Sequence, residues 1–378
     1  YLKSLPVFAQ TPDEFFSYLA DLRFTGDVWA MPEGTIAFQG EPIIRVTAPI
    51  IEAQVVETAL LATINHSTTI ASKSARVVQS ARGKPVIEFG SRRAHGPQAA
   101  MLAARAAYVA GCAGTSNLEA GKEFGIPVFG TVAHSWIQAF SDELEAFKAN
   151  IAALPAAGVM LIDTYDTIQG AKHAVKLGSA LKSVRIDSGD LIAQSKAVRK
   201  ILDKAKLTHV SIFLSGDLDE YRVDEILRAR TPADAFGVGT RMSVSIDSPV
   251  VNGVYKLVEV IEKGEAHGKV KLSADKILYP GRKQVFRYEK NDKYAGDVIG
   301  EHNEKLAGNP TPLLTQIFHN GKRIKKEERL EKIRERVKSQ LEKLPRRLLS
   351  LETVKPYPVR FSNELKRKLK VLTVELVK

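Results

Sequence analysis

The sequence predicts an α/β protein in which a (β/α) barrel, complete or nearly so, is inserted in a second α/β domain built from both chain ends. Three observations carry this. Between residues 83 and 246, a short apolar run that ends in small or polar residues is followed by a helix-like stretch, seven times over. Such alternation argues for parallel strands joined by crossover helices, and seven units over about 155 residues suit a barrel. By contrast, residues 28–48 alternate apolar and polar side chains between turns at "PEG" and "GEP", the period of antiparallel strands. The stretch "VVNGVYKLVEVIEKGEAHGKVKLS" after residue 247 repeats that hairpin pattern near the other end.

In chain order, residues 48–79 predict one long helix or two. The central runs are "PVIEFG" (85–90), "AYVAGCAG" (107–114), "IPVFG" (126–130), "GVMLID" (158–163), "SVRID" (183–187), "VSIFLSGD" (210–217) and "DAFGVG" (234–239). Stretches such as "PQAAMLAARAAYV" and "DLIAQSKAVRKILDKA" supply the helices between them. This divides the chain into residues 1–82, the first part of the α/β domain, residues 83–246, the barrel, and residues 247–378, which complete the α/β domain and add a basic helical tail. Residues 325–343 mix Lys, Glu and Arg with Ile and Val at helical spacing, as a solvated amphipathic helix does.

Charge and composition exclude several classes. The net charge of +12 gathers at the C-terminal end: residues 321–347 hold 12 Lys or Arg against 5 Asp or Glu, residues 364–378 hold 5 against 2, and the remainder is nearly neutral. A basic end of this mixed kind does not make a nucleic-acid surface. No apolar run is long enough for a membrane span. Asp13 and Glu14 interrupt any signal peptide. A single cysteine, Cys112, allows no internal disulfide or zinc knuckle and fits a reducing cytoplasm. The chain starts at Tyr1, so the expectation is that it was processed or that coding sequence precedes it.

In a barrel, function gathers where strands end. Those ends read "EFGSRR" (88–93), "GTSN" (114–117), "GTVAHS" (130–135), "DTYD" (163–166), "RIDSGD" (185–190), "SGDLDE" (215–220) and "GVGT" (237–240). The sixth and seventh end in glycine ahead of helices, where backbone N–H groups can meet a phosphate. In "RIDSGD", Arg185 and Asp187 share one side of an extended strand, with Asp190 at the next helix start. Arg185 can grip phosphate or carboxylate with two prongs, and Asp187 can hold ribose hydroxyls or Mg²⁺. "SRR" offers two arginines to a planar acid or a pyrophosphate. His134 opens a helix among Gly130, Thr131, Ala133 and Ser135, where a capping or core histidine is the plainer expectation.

These motifs, in this order and spacing, resemble those of the nicotinate phosphoribosyltransferase family, from about residue 1 to "YPVRFSNEL" at 357–365. The resemblance implies an irregular, TIM-like type II phosphoribosyltransferase barrel. It implies ATP-coupled transfer of ribose 5-phosphate from phosphoribosyl pyrophosphate to nicotinic acid, giving nicotinate mononucleotide for NAD salvage, with Mg²⁺ accompanying the substrate. His134 matches the phosphorylated histidine, and Asp187 is the second catalytic residue and the possible Mg²⁺ ligand. Phe89, Ser91, Arg92, Ser116, Thr131 and Arg185 would bind substrate. Gly216, Asp217, Gly237, Gly239 and Thr240 would cradle the 5-phosphate. The resemblance further implies a cytoplasmic homodimer with small-molecule substrates and no nucleic-acid or membrane partner.

Other readings stay open at this stage: nicotinamide or quinolinate phosphoribosyltransferase, or a catalytically dead sugar-phosphate-binding barrel. "GTVAHS" speaks against the quinolinate enzyme, which needs no phosphorylated histidine. The neutral Ser116, where nicotinamide users carry a carboxylate, speaks against the amide. One departure is that nothing before "YLKSLPVF" supplies the family's Asp-x-Tyr segment, so roughly the first sixth of a typical bacterial member is expected to be missing.

Overall fold

The structure, a computed structural model, describes residues 1–156, 158–273, 276–352 and 354–377. Lys378, which falls in the basic tail, lies outside them. From the N-terminus, helix α1 (Asp13–Ala20) precedes the antiparallel strands β1 (Asp27–Ala30) and β2 (Ile44–Thr47). Residues 31–43 join them without a strand, so the sheet expected over 28–48 is only its two ends. The helical stretch at 48–79 is two helices, α2 (Ile50–Val55) and α3 (Glu57–Ser80).

The central segment then alternates as expected. Its strands are β3 (Val86–Glu88), β4 (Gly114–Thr115), β5 (Val159–Leu161), β6 (Ser183–Ile186), β7 (Ser211–Leu214) and β8 (Ala235–Val238). All ladders are parallel, in the order β4-β3-β8-β7-β6-β5. Between them come α4 (Pro97–Val109), α5 (Leu118–Phe124), α6 (His134–Gln138), α7 (Glu143–Ala153), α8 (Thr167–Ala174), α9 (Leu191–Lys204) and α10 (Glu220–Arg228), with α11 (Thr240–Ser243) after β8. The run 107–114 is largely the end of α4, because its alanines continue that helix, and only Gly114–Thr115 pair as strand. The run 126–130 joins the edge through one parallel bridge, Thr115 to Val128.

Strands covered on both faces must be apolar throughout, which explains the unbroken runs. Met160, Val184, Ile186, Ile212, Leu214, Phe236 and Val238 are fully buried in one core with residues of α7–α10. The helix starts of this segment have a repeated device: Asn117, Asp142, Asp166, Asp190 and Asp219 each cap the next helix with a side-chain oxygen.

Both chain ends meet in a second sheet, Lys322–Arg323, Thr315–His319, β1 and β2, where Val28 pairs with Phe318. A third sheet is built on the antiparallel pair Lys283–Lys290 and Lys293–Glu301. The hairpin expected after residue 247 is Glu259–Glu262 with Glu265–Gly268. The basic helix starts five residues later than its charge pattern suggests, as α12 (Leu330–Lys343), and it is not wholly solvated. Ile333 and Val337 are buried against Val109, and Arg334 donates to the carbonyls of Tyr108, Gly111 and Cys112. A cation there satisfies the orphan carbonyls that close α4. The chain ends in α13 (Asn363–Val377).

One buried polar cluster ties these outer parts together. Arg287 forms an ion pair with Asp297 at 2.6 Å and lies over the rings of Phe38 and Tyr294, while Tyr357 donates to Asp297 at 2.8 Å. Glu41, its side chain buried beside them, has its pKa pushed up from the ordinary 4.5 to about 9: burial first, then the hydrogen bond and charge of Asp297, outweigh the Phe38 N–H and Arg287. Folded Glu41 therefore keeps a proton that the unfolded chain releases above about pH 4.5, so stability falls as pH rises through that window. Glu41→Gln removes the titration. Its denaturation midpoint relative to the parent should shift in the variant's favour from pH 5 to pH 8, by up to about 1.4 kcal/mol per pH unit. A difference independent of pH would refute the assignment.

Candidate functional site

Because the strands are parallel, their C-terminal ends open on one edge, and the polar residues after them converge. Arg185, near the end of β6, is the hub. Its Nε donates to Ser215 Oγ at 2.8 Å, and its terminal nitrogens donate to Thr131 Oγ1 and Asp187 Oδ1, both at 2.6 Å. Ser215 donates onward to Asp187 Oδ1 at 2.6 Å. Three strand ends are thus locked through one planar cation, a geometry that lysine cannot reproduce.

Burial alone would raise the pKa of Asp187. The Arg185 charge, the hydrogen bonds from Ser215 and Arg185 and the nearby His134 outweigh it and hold the carboxyl below the usual carboxylate range. The backbone N–H of Asp187 donates to Asp163 Oδ2 at 2.9 Å, and Ser188 Oγ donates to the same oxygen at 2.7 Å.

His134 is the first residue of α6 and reaches the same point. Its Nδ1 lies 3.1 Å from Thr164 Oγ1, and its Nε2 lies 3.7 Å from Asp187 Oδ2. With its side chain 39% exposed, it is neither a core histidine nor a cap. Nε2 makes no hydrogen bond among the described residues.

Phe89, directly after β3, lies beneath the Arg185 guanidinium at 5.5 Å and meets the Phe213 ring edge-on at 5.5 Å. Gly237 is buried within β8 under these rings: a Cβ there would sit 2.8 Å from Phe213 and 2.9 Å from Phe89. Ser91 accepts from Asn117 Nδ2 at 3.2 Å, which joins the first two loops. Arg92 and Ser116 are exposed, and Arg92 is unpaired among the described residues.

Gly216, Asp217, Gly239 and Thr240 follow β7 and β8. A cleft of about 450 Å³ opens here, lined by Asp187, Gly189, Gly216, Asp217, Arg222 and Arg241. Gly216 has φ of +97°, and a Cβ on it would fall 1.8 Å from the Asp187 carbonyl oxygen. No other residue fits there. A larger cavity, about 1590 Å³, lies between β2, α3 and residues 250–261, and none of the predicted site residues lines it.

Among the described residues, no three or more His, Cys, Asp or Glu are grouped as a metal site. The buried Oδ1 of Asp163 has no partner among the described residues, and Asp187 stands next to it in the network. Mg²⁺ typically takes one or two carboxylates together with substrate phosphates, so this pair suits an ion delivered with a phosphorylated substrate.

Three consecutive stretches match family descriptions: the nicotinate phosphoribosyltransferase N-terminal domain at residues 1–65, the family's principal domain at 85–290 and its C-terminal domain at 309–369. A Mycobacterium tuberculosis nicotinate phosphoribosyltransferase is 48% identical over 373 residues, covering 97% of this chain and 78% of its own. The chain belongs to the nicotinate phosphoribosyltransferase family. A Bacillus subtilis relative is 41% identical over 74% of this chain and 59% of its own. The crystal structure of human nicotinic acid phosphoribosyltransferase superposes with a TM-score of 0.83, at 25% identity, over 98% of this chain and 87% of that one. A Pyrococcus furiosus nicotinate-nucleotide pyrophosphorylase gives 0.73, at 30% identity, over 88% and 84%.

Within this family fold, the site holds residues that the sequence reading did not single out. Ser215 and Thr164 are ordinary hydroxyls whose roles come from contacts across loops. Asp163 resembles the capping Asp166 on paper. Glu88 had a visible signal: a carboxylate inside the apolar run "PVIEFG".

Gly216→Ala should displace the loop from Asp187 and destabilise the fold by roughly 1–3 kcal/mol. Denaturant midpoints test this, and an unchanged midpoint would mean that the loop relaxes freely.

Proposed function

We propose that this protein transfers ribose 5-phosphate from phosphoribosyl pyrophosphate to nicotinic acid, and that ATP drives the step through phosphorylation of His134. Family membership supports the reaction. The observation that carries the assignment of parts is the cluster of Arg185, Asp187, Thr131 and His134 beside the face of Phe89.

The central sheet is read here as an irregular barrel, whose open edge at β4 is extended by residues 126–130. On this reading nicotinate lies against Phe89, with Arg92, Arg185, Thr131, Ser91 and Ser116 around it. Asp187 holds the ribose hydroxyls and, with Asp163, a substrate-borne Mg²⁺, which neutralises charge on the leaving pyrophosphate. Gly216, Asp217, Gly239 and Thr240 receive the 5-phosphate, and Gly237 acts indirectly by seating the rings.

The C1–oxygen bond to pyrophosphate breaks as the pyridine nitrogen lone pair forms the new C1–nitrogen bond, so no proton need move. Charge accumulates on the leaving group and the sugar becomes cation-like, so positioning and electrostatics dominate. For the coupled step, Thr164 holds Nδ1, and Nε2 attacks the γ-phosphorus of ATP, releasing ADP. Imidazole is a competent nucleophile near neutral pH. A homodimer in the cytoplasm completes the proposal. The decisive assay is a panel of nicotinate, nicotinamide and quinolinate, each with and without ATP, followed by pyrophosphate release. Nicotinate turnover stimulated by ATP is expected, and quinolinate or nicotinamide as the favoured base would overturn the reading.

His134→Asn should abolish acid-labile phosphate on the protein and the ATP stimulation, while slow ATP-independent transfer survives. Equal stimulation of variant and parent would refute the role.

The acid should be preferred over the amide by about two orders of magnitude in kcat/KM, which needs only ~2.7 kcal/mol. Neutral Ser116 does not repel the nicotinate carboxylate, and Arg92 and Arg185 add positive charge nearby. Ser116→Asp should depress nicotinate use far more than phosphoribosyl pyrophosphate binding. An effect on both substrates alike would remove Ser116 from the base site.

A further inference from the structure

Directly beneath the base-binding turn lies a carboxylate to which the mechanism above gives no part. Glu88, the last residue of β3, is 1% exposed. Its Oε1 accepts from the Gly90 N–H and from Ser243 Oγ at 3.1 Å, and its Oε2 accepts from Thr115 Oγ1 at 2.6 Å. Both oxygens of a fully buried acid are therefore occupied, which is how such a group becomes tolerable in the interior.

The partners come from three different βα junctions. Gly90 lies in the turn between Phe89 and Arg92. Thr115 precedes Ser116, and its hydroxyl also accepts from the Asn117 N–H at 3.0 Å; Asn117 in turn caps α5 and reaches Ser91. Ser243 closes α11, the turn that begins at Thr240, and its hydroxyl also lies 3.2 Å from the Gly239 carbonyl. Gly90 shows how closely the parts fit: a Cβ there would overlap Ser243 Oγ at 1.4 Å, although its φ of −94° suits any residue. The glycine is required by Ser243's approach to Glu88, not by backbone conformation.

We propose that Glu88 is a positioning residue that sets the spacing between the base end of the site and its 5-phosphate end. This rests on the assignment of those ends under the proposed function. Oε2 fixes the loop of Ser116 through Thr115, and Oε1 fixes both the turn of Phe89, through the Gly90 N–H, and the turn of Gly239 and Thr240, through Ser243. The two halves of a nucleotide are then held in register by one rigid group. A substrate whose phosphate and base are separated as in a ribosyl 5-phosphate fits, and one with a shorter or longer reach does not.

The arms of the carboxylate can be cut one at a time. Thr115→Val keeps shape and removes the Oε2 contact. It should raise the nicotinate KM about tenfold, the usual effect of losing one hydrogen bond to a charged group, and leave the phosphoribosyl pyrophosphate KM within about twofold. Ser243→Ala should do the converse. Glu88→Gln should raise both, since an amide keeps one acceptor and loses the other. Titration calorimetry with phosphoribosyl pyrophosphate alone, on parent and Ser243→Ala, reads the phosphate arm without turnover and so stands even if the base proves not to be nicotinate.

A purely structural Glu88 would lower the melting temperature and the active fraction with both KM values unmoved, which would overturn the proposal. So would Thr115→Val and Ser243→Ala each shifting both KM values equally. Should Glu88→Gln fail to fold, the two single-arm variants decide the matter.

Discussion

All six strands of the central sheet run in one direction, and most of the remaining architecture follows from that constraint. Each connection must cross back over a face of the sheet, so helices cover it and the strands are mostly apolar, with Glu88 and Arg185 toward their C-terminal ends. All C-terminal ends then lie together, and residues far apart in sequence meet without any long loop. Thr131, Arg185 and Ser215 come from three units and share one guanidinium.

The site so formed is stiff before anything binds. Each of the three Arg185 nitrogens already donates one hydrogen bond and the guanidinium lies over Phe89, so its rotamer is fixed in advance. Asp187 is kept ionised by the same contacts that fix its orientation. Preorganisation of this kind reduces the ordering cost of binding and of the reaction itself. The buried Glu88 adds hydrogen bonds beneath these groups and ties together the turns that carry them.

The sequence made the architecture legible through period and punctuation, where apolar runs end at Gly and Asp. It also pointed to the residues at strand ends, because in this topology strand ends coincide. It was weaker where one residue type serves two purposes. Asp163, Asp187 and Asp217 look like Asp166, Asp190 and Asp219, yet the latter three cap helices, Asp219 while also lining the cleft, and the former face the cleft or the network behind it. Gly237 and Gly239 sit two residues apart in one motif, but only Gly239 belongs to the loop. The run 107–114 misled because alanines before a short strand extend the preceding helix. The basic C-terminal helix was read as solvated because its few apolar residues are sparse, whereas Arg334 finds its partners at the end of another helix.

The pairing of β1 with residues 315–319 has a bearing on how the chain is made. Val28 faces Phe318 across the sheet, roughly 290 positions later. At ~5–20 residues per second, a ribosome leaves β1 without that neighbour for about 15–60 s. The parallel core is complete well before then and can collapse on local crossovers, while the edge of β1 waits as an open template for other strands. Biogenesis of this protein therefore has two phases, an early one governed by the central sheet and a late one governed by the meeting of the ends. Cellular protection against misassembly matters most in the interval between them.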